Sequence, residues 1–272
     1  MHPHISDQEF EDFRLFVHQQ LGIYLHAGKK ALVSGRLSKR LQHYQLPSFG
    51  TYFQLIHSPE GQGERQMCID LLTTNETYFF REPKHFDWLR HHVQDLPASD
   101  SYFRVWSAAS SSGDEAYSIA MVLADHCRRP WQVMGSDISS RVLEHARQGH
   151  YSMARARHIP PASLKRHCLR GTGSQEGTFL VRQELRQRVD FTQINLNATL
   201  PALGLFDMIF LRNVMIYFDT ATKQQVVHRL LRHLRPGGHL CIGHSESLND
   251  FAHPLQAVAP AIFRLPAGRS TA

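Results

Sequence analysis

Phe103-Arg104-Val105-Trp106, then Ser107-Ala108-Ala109-Ser110-Ser111-Ser112-Gly113, then Asp114-Glu115, and finally Trp131-Gln132-Val133-Met134-Gly135-Ser136-Asp137 decide how this chain folds. In order they spell a short apolar strand, a loop with almost no side-chain bulk, a helix start, and a second strand ending on a carboxylate. The helix carries Ile119, Val122 and Leu123 at helical spacing. Small residues between a strand and a helix let a ligand lie against the backbone. An acid at the end of the next strand can accept from both hydroxyls of a ribose. The unit therefore predicts a nucleoside cofactor.

Working outward, strands and helices alternate after Phe103, which predicts an α/β fold with a mostly parallel, Rossmann-like sheet. Phe206-Asp207-Met208-Ile209-Phe210-Leu211 reads as a buried strand. Val227, Leu230, Leu231 and Leu234 give the next helix its apolar stripe, and Arg235-Pro236-Gly237-Gly238 is expected to stop it. His239 to Gly243 reads as the following strand, and Ala261 to Leu265 as the last. Upstream, residues 7–72 show four helical stripes and no strand pattern, with Ser6 or Asp7 as the first cap. The expected division is an all-α domain over 1–72 and a sheet domain over 73–272. Within the latter, Gly171-Thr172-Gly173 and Gly177 punctuate short runs, including Thr178–Val181 and Arg188–Phe191, which predicts a small antiparallel β insert at about 165–190.

An apolar content of 42% supports a real core, and no apolar run reaches membrane-spanning length. The N-terminus has no apolar segment of a signal peptide, so a cytoplasmic protein is expected. Cys68, Cys127, Cys168 and Cys241 lie far apart, as reduced thiols do. The tight histidine groups are His91-His92 and His2/His4, so no metal site is expected. The net charge of +6 favours acidic partners. Residues 1–75 are neutral overall, yet Lys29, Lys30, Arg36, Lys39 and Arg40 fall in a stretch without an acid.

The loop before Asp114 has one glycine, not the three of a dinucleotide fingerprint, so nothing is prepared for a pyrophosphate. S-adenosylmethionine fits better: it has a ribose, an adenine and an amino-acid end, and no phosphate. The competing reading is an ordinary βαβ unit with Asp137 at the surface. Two further segments weigh against that. Thr73 to Glu82 sets polar groups around Tyr78-Phe79-Phe80, and Arg212, Asn213 and Tyr217 follow a buried strand, where ligands bind in open α/β sheets.

Asn75-Glu76-Thr77-Tyr78-Phe79-Phe80-Arg81-Glu82, Trp106-Ser107-Ala108-Ala109 through Gly113-Asp114-Glu115-Ala116-Tyr117-Ser118, Arg212 to Phe218, and Gly243-His244-Ser245-Glu246-Ser247 together resemble the chemotaxis receptor methyltransferases, the CheR family. The resemblance spans nearly the whole chain. The chain departs from it at Asp114 and Ala116, where the family has Glu and Pro. The resemblance implies that Asn75, Thr77, Arg81, Glu115, Asp137, Asn195, Leu196, Arg212 and Asn213 contact S-adenosylmethionine. Arg81 suits the cofactor carboxylate, Glu115 its cationic end and Asp137 the ribose. Asn195 suits the adenine edge and Leu196 its face. Capping or turn roles for Asn75 and Thr77, and surface pairing of Arg81 with Glu76 or Glu82, are the plainer alternatives. Tyr78, Phe79 and Phe80 read as core.

The reaction so implied is methyl transfer to a glutamate carboxylate of a chemoreceptor, giving a methyl ester and S-adenosylhomocysteine. A glutamate with a pKa near ~4.3 is already ionised and needs no base. Tyr217 and Arg81 are then the catalytic candidates, Tyr217 beside the transferred methyl. Arg36, Lys39 and Arg40 lie at i, i+3 and i+4 and are candidates for docking the receptor's acidic cytoplasmic helices; a solvated face is the bland alternative. The glycine-containing loop from Leu169 to Gly177 resembles the family subclass whose β-subdomain captures an acidic, aromatic receptor peptide. Nucleic acid is not an expected partner, since no aromatics interleave with the charges. Nothing suggests an obligate dimer, so a monomer is expected. A methyltransferase of RNA or small molecules, or a non-catalytic binder of the cofactor, are the rival functions.

Overall fold

The computed structural model describes residues 4–267; His2, of the His2/His4 pair, lies outside them. Four helices come first: α1 (Asp7–Leu21), α2 (Lys30–His43), α3 (Phe49–His57) and α4 (Gln62–Leu72). Ser6 caps α1: its hydroxyl accepts from Glu9 N while the Glu9 carboxylate accepts from Ser6 N, at 3.2 and 2.8 Å. Gly22 ends the helix in the left-handed region at φ 71°. The stripes of α1 to α3 meet in one core, in which Phe13, Val17, Val33, Leu37, Phe49 and Tyr52 are fully buried. Each such side chain contributes roughly 1.5–3 kcal/mol.

The rest of the chain alternates as expected. It runs α5 (Lys84–Gln94), β1 (Phe103–Ala108), α6 (Asp114–His126), β2 (Trp131–Asp137), α7 (Ser140–Gln148), β3 (His150–Ser152), α8 (Pro161–His167), β4 (Cys168–Arg170), β5 (Thr178–Val181), α9 (Gln183–Arg186), β6 (Val189–Gln193) and β7 (Phe206–Leu211). Then follow α10 (Thr220–Leu231), β8 (Leu234–Ile242), β9 (Gln256–Ala259) and β10 (Ile262–Arg264). The main sheet has the order β6-β2-β1-β7-β8-β10-β9. Its pairs from β6 to β8 are parallel, and β10 is antiparallel to both neighbours. Strand order reverses between β1 and β7, and a ligand site forms outside the carboxyl ends of strands at such a switch. Both faces of β1 are buried: Phe103 and Val105 enter one core cluster, Trp106 and Ala108 the other. That explains why apolar side chains occupy both faces of the strand, with the half-buried Arg104 the exception.

Three expectations need correction. The antiparallel insert is β3-β5-β4, so it opens at His150 and closes at Val181, not at 165–190. Arg188–Phe191 is no part of it: β6 pairs in parallel with β2, where the Phe191 ring packs so close to Gly135 that a Cβ there would lie 2.5 Å from it. Arg235-Pro236-Gly237-Gly238 does not itself stop α10, which ends at Leu231; these residues already lie in β8, with Gly237 at φ 82°.

Candidate active site

The loop after β1 turns on three left-handed residues: Ala109 (φ 70°), Ser111 (φ 49°) and Gly113 (φ 89°). Two of them carry a Cβ, a strained choice of ~1–2 kcal/mol each. The turn is held from both sides. Ser110 N donates to Ser136 O at 2.7 Å, and Ser111 Oγ to Asn75 O at 2.9 Å. Ser111 N and Ser139 N donate to the two oxygens of Asp137, at 2.9 and 3.0 Å. Asp137 is 7% exposed. Its burial pushes the pKa up, against these N–H bonds, which pull it down. The carboxylate has four lone pairs, more than these N–H groups occupy, so it can still accept from a ribose hydroxyl.

Arg212 forms the polar end. Its guanidinium donates to Glu115 Oε2 at 2.8 Å, to Glu82 Oε2 at 3.0 Å and to the Arg81 carbonyl. Ser107 Oγ donates to the other Glu115 oxygen at 2.7 Å. Glu115, expected to meet the cofactor's cationic end, is therefore already the partner of Arg212. Asn213 stands at φ 57°, and the Glu246 carboxylate fixes it there. That carboxylate accepts from Asn213 N, Met215 N and Gly243 N at 2.9, 2.7 and 2.7 Å. At Gly243 a Cβ would lie 2.6 Å from Asn213 Nδ2 and 2.8 Å from Glu246 Oε2, so a larger residue would push both of these side chains aside.

Arg81 sits between two more left-handed residues, Phe80 (φ 54°) and Glu82 (φ 58°). Its guanidinium donates to Glu76 O at 3.1 Å and lies 5.7 Å from the Tyr78 ring centre. The surface pairing with a carboxylate does not occur. Phe79 and Phe80 are buried as expected, whereas Tyr78 is exposed. Arg155, on the turn after β3, donates to both oxygens of the fully buried Asp114, to Ser112 Oγ and to Thr77 O. Tyr151 O–H donates to Ser112 O at 2.7 Å. The β insert thus buttresses the loop. Neither residue stood out in the sequence, where both lie far from the loop they support.

All nine expected cofactor residues and Tyr217 line one cavity of about 340 Å³. Asn195 does more than expected: its amide donates to Gln20 O at 2.7 Å and accepts from Asn197 N at 2.9 Å, leaving one N–H and one lone pair for a ligand. The segment after α1 also lines the cavity, through Ile23, Tyr24, Leu25, His26 and Lys29. It is tied down by Tyr24 N donating to Tyr217 O at 2.8 Å and by a bridge between Ile23 and Phe218. The short apolar run Ile23-Tyr24-Leu25 after Gly22 was the available signal. The all-α domain, expected only to dock a receptor, thus walls the cavity that gathers the expected cofactor residues.

Two of the α2 cations expected to dock a receptor also have partners within the protein. Arg40 makes a two-pronged pair with Glu64, at 2.8 and 2.6 Å, and Glu64 is buried against Tyr52. Arg36 donates to Leu72 O and Thr73 O at 3.1 and 3.0 Å. Two of the three cations are used inside the protein, and Lys39 stays exposed. The fold also assembles a group that sequence spacing hid: Glu82, His85 and His244 hold possible ligand atoms within 4.8 Å of one another. The rings of His85 and His244 stack at 4.4 Å. Their carboxylate already holds the Arg212 guanidinium, a cation that disfavours a metal ion beside it.

Two family profiles match: "CheR methyltransferase, all-alpha domain" over residues 8–73 and "CheR methyltransferase, SAM binding domain" over residues 75–262. The chain belongs to the CheR methyltransferase family. It is 44% identical over 255 residues to a chemotaxis protein methyltransferase of Escherichia coli (strain K12), covering 92% of this chain and 86% of that one. It is 39% identical to the Salmonella typhimurium protein of the same name, covering 96% and 91%. To chemotaxis protein methyltransferase 2 of Pseudomonas aeruginosa it is 40% identical, covering 96% and 94%. The cofactor of this CheR chain is S-adenosylmethionine, and the donor set fits it: a buried acid with free lone pairs, a mixed-charge end at Arg212, Glu115 and Arg81, and apolar walls from Ile138, Ile194 and Leu196. No helix among the described residues is long and apolar enough to cross a membrane.

Proposed function

We propose that this CheR-family protein methylates glutamate side chains of chemotaxis receptors, forming methyl esters. The observation that carries the reading is that one cavity gathers Asp137, the Arg212–Glu115 pair and Tyr217 beneath a rim holding Lys29, His26 and Arg81. Bound S-adenosylmethionine supplies an electrophilic methyl group. Asp137 would hold its ribose, and Arg81 its carboxylate. A glutamate substrate arrives ionised, with a pKa near ~4.3, so no residue has to remove a proton. The protein's work is alignment and exclusion of water. The Ile23–Lys29 segment and Tyr217 wall the cavity from solvent, and Tyr217 lies beside the position of transfer. Arg81 steers the incoming carboxylate.

The receptor's acidic helices dock on the exposed cations of the all-α domain, with Lys39 on α2 the residue free to do so. The β4 edge and the loop over residues 171–177 take an acidic aromatic receptor peptide, raising the local concentration of the methylation sites. Leu169, 44% exposed on β4, suits an aromatic side chain. The protein acts as a cytoplasmic monomer recruited to receptors. The test is transfer of a labelled methyl group to receptor-bearing membranes. Labelled methanol released by mild base supports the reading; base-stable label, or label on RNA alone, rejects it.

A further inference from the structure

Two large apolar side chains stand exposed at the rim of the cofactor cavity. Tyr24 is 44% exposed and Ile216 52%, and both line the cavity. Single exposed apolar residues are ordinary; a pair from distant segments flanking a reaction cavity is not. The two are fixed relative to each other. Tyr24 N donates to Tyr217 O at 2.8 Å, and Ile23 bridges Phe218, so the segments carrying them run as one unit.

Cations lie near this platform, one of them, Arg14, also paired with Glu11 at 3.3 Å. The Arg14 guanidinium lies 5.4 Å from the Tyr24 ring centre, and Lys29 and Arg81 line the same cavity. Glu76 is the exposed acid of that lining. An apolar step with Lys29 and Arg81 in the adjoining cavity lining is complementary to an acidic amphipathic helix. On such a helix, residues three and four apart share a face. A glutamate entering the cavity therefore sets its neighbour one turn away against Tyr24 and Ile216.

We propose that Tyr24 and Ile216 are specificity-determining residues, selecting glutamates that have an apolar residue one helical turn away. The proposal rests on the reading that receptor glutamates are the substrate, and it names which of them are taken. Apolar contacts of this size discriminate by about tenfold or somewhat more.

Two labelled acidic helical peptides test it, each with one glutamate, one carrying Leu four residues on and the other Ser. Binding to the full chain loaded with S-adenosylhomocysteine is read by fluorescence anisotropy. The Leu peptide should bind about tenfold more tightly. Tyr24→Ser and Ile216→Ser should each erase most of that preference, read as the ratio of the two peptides' affinities on the same variant at saturating S-adenosylhomocysteine, a ratio that any change in cofactor affinity leaves unaffected. Equal binding of the two peptides, or a preference that survives both substitutions, overturns the proposal. Methylation of the same peptides is then followed by base-released methanol. A preference that is present and lost in the variants, with no base-labile label, leaves the selectivity standing and rejects the glutamate reaction instead.

Discussion

Replacing Arg155 by Ala tests whether the β insert supports the cofactor loop. The Arg155 guanidinium reaches both oxygens of Asp114 at 2.7 Å, and Asp114 is fully buried at the start of α6. Removing one partner of a fully buried pair costs about 3–5 kcal/mol. Two features reduce that figure. The Arg155 side chain is 31% exposed, so water can replace part of it. Asp114 also keeps the Ser112 hydroxyl, at 2.8 Å, and the favourable dipole of the helix N-terminus. A loss of about 2–3 kcal/mol is expected, or roughly 4–12 °C in melting temperature for a chain of this size. Because Ser112 also loses its donor, the loop shifts and S-adenosylmethionine affinity should fall about tenfold, ~1.4 kcal/mol. Asp114→Asn in the same background removes the stranded charge, so the double variant should recover ~1–2 kcal/mol relative to additivity. Urea unfolding gives the cycle and calorimetry the affinity. A coupling below about 0.5 kcal/mol, with cofactor affinity unchanged, refutes the buttress.

In the proposed ribose role Asp137 has to be a carboxylate, and its burial raises its pKa above the ordinary 3.8. Cofactor affinity should therefore fall on acidification at a higher pH than that value dictates, and Asp137→Asn should bind weakly with a flat profile over the same range; an unchanged profile removes the ribose role. Tyr217→Phe should lower the turnover number more than it raises the cofactor dissociation constant, and equal turnover would exclude its hydroxyl from the transfer. Lys39→Glu should raise the KM for receptor membranes without changing stability. Arg40→Met should instead destabilise the protein by ~2–4 kcal/mol, since it strands the buried Glu64; the reverse pattern returns docking to Arg40. His85 has its pKa pushed down to about 4 and His239 likewise to about 4, in both by burial first. The unfolded chain binds these protons near the ordinary 6.5. Stability should therefore be full above that pH and fall as pH drops towards 4, by at most about 3 kcal/mol per ring; His85→Phe should flatten its share.

The fold was legible where one physical rule dominated. The run Phe103–Trp106 declared a strand buried on both faces, and the stripes of α1 to α4 declared helices. Legibility failed where tertiary pairing decided. Val189–Phe191 has the length and punctuation of a hairpin strand. Only its partner, β2, makes it part of the main sheet. The reverse holds for His150–Ser152, three residues whose strand character comes wholly from pairing with β5. Helix α5 had a readable stripe, with Phe86, Leu89 and Val93 buried, but the histidines around it blurred the apolar pattern.

For the site, motif resemblance named residues that share one cavity but not what holds them. Arg36 and Arg40 share a helix face with Lys39, and periodicity cannot tell a face turned to a partner from one turned to Glu64. Backbone strain was equally hidden. Of the seven non-glycine residues with positive φ among those described, Phe80, Glu82, Ala109, Ser111 and Asn213 all belong to the loops that form the cavity. A sequence reader expects glycine in the left-handed region and so takes Ala109 and Ser111 for ordinary loop residues. Their conformations persist because other groups over-determine them: Asp137 and Asn75 hold Ser111, and Glu246 holds Asn213. Strain sustained in this way aims backbone and side chains at a ligand before it arrives, which favours a preorganised site. That argument predicts a directional result. Ser111→Gly relieves a strained φ but removes the Oγ bond to Asn75 O, so apo stability should change little while cofactor binding weakens, because the loop gains conformations in which Asp137 is no longer aligned. Tighter binding on substitution would show that the left-handed serine is tolerated rather than used.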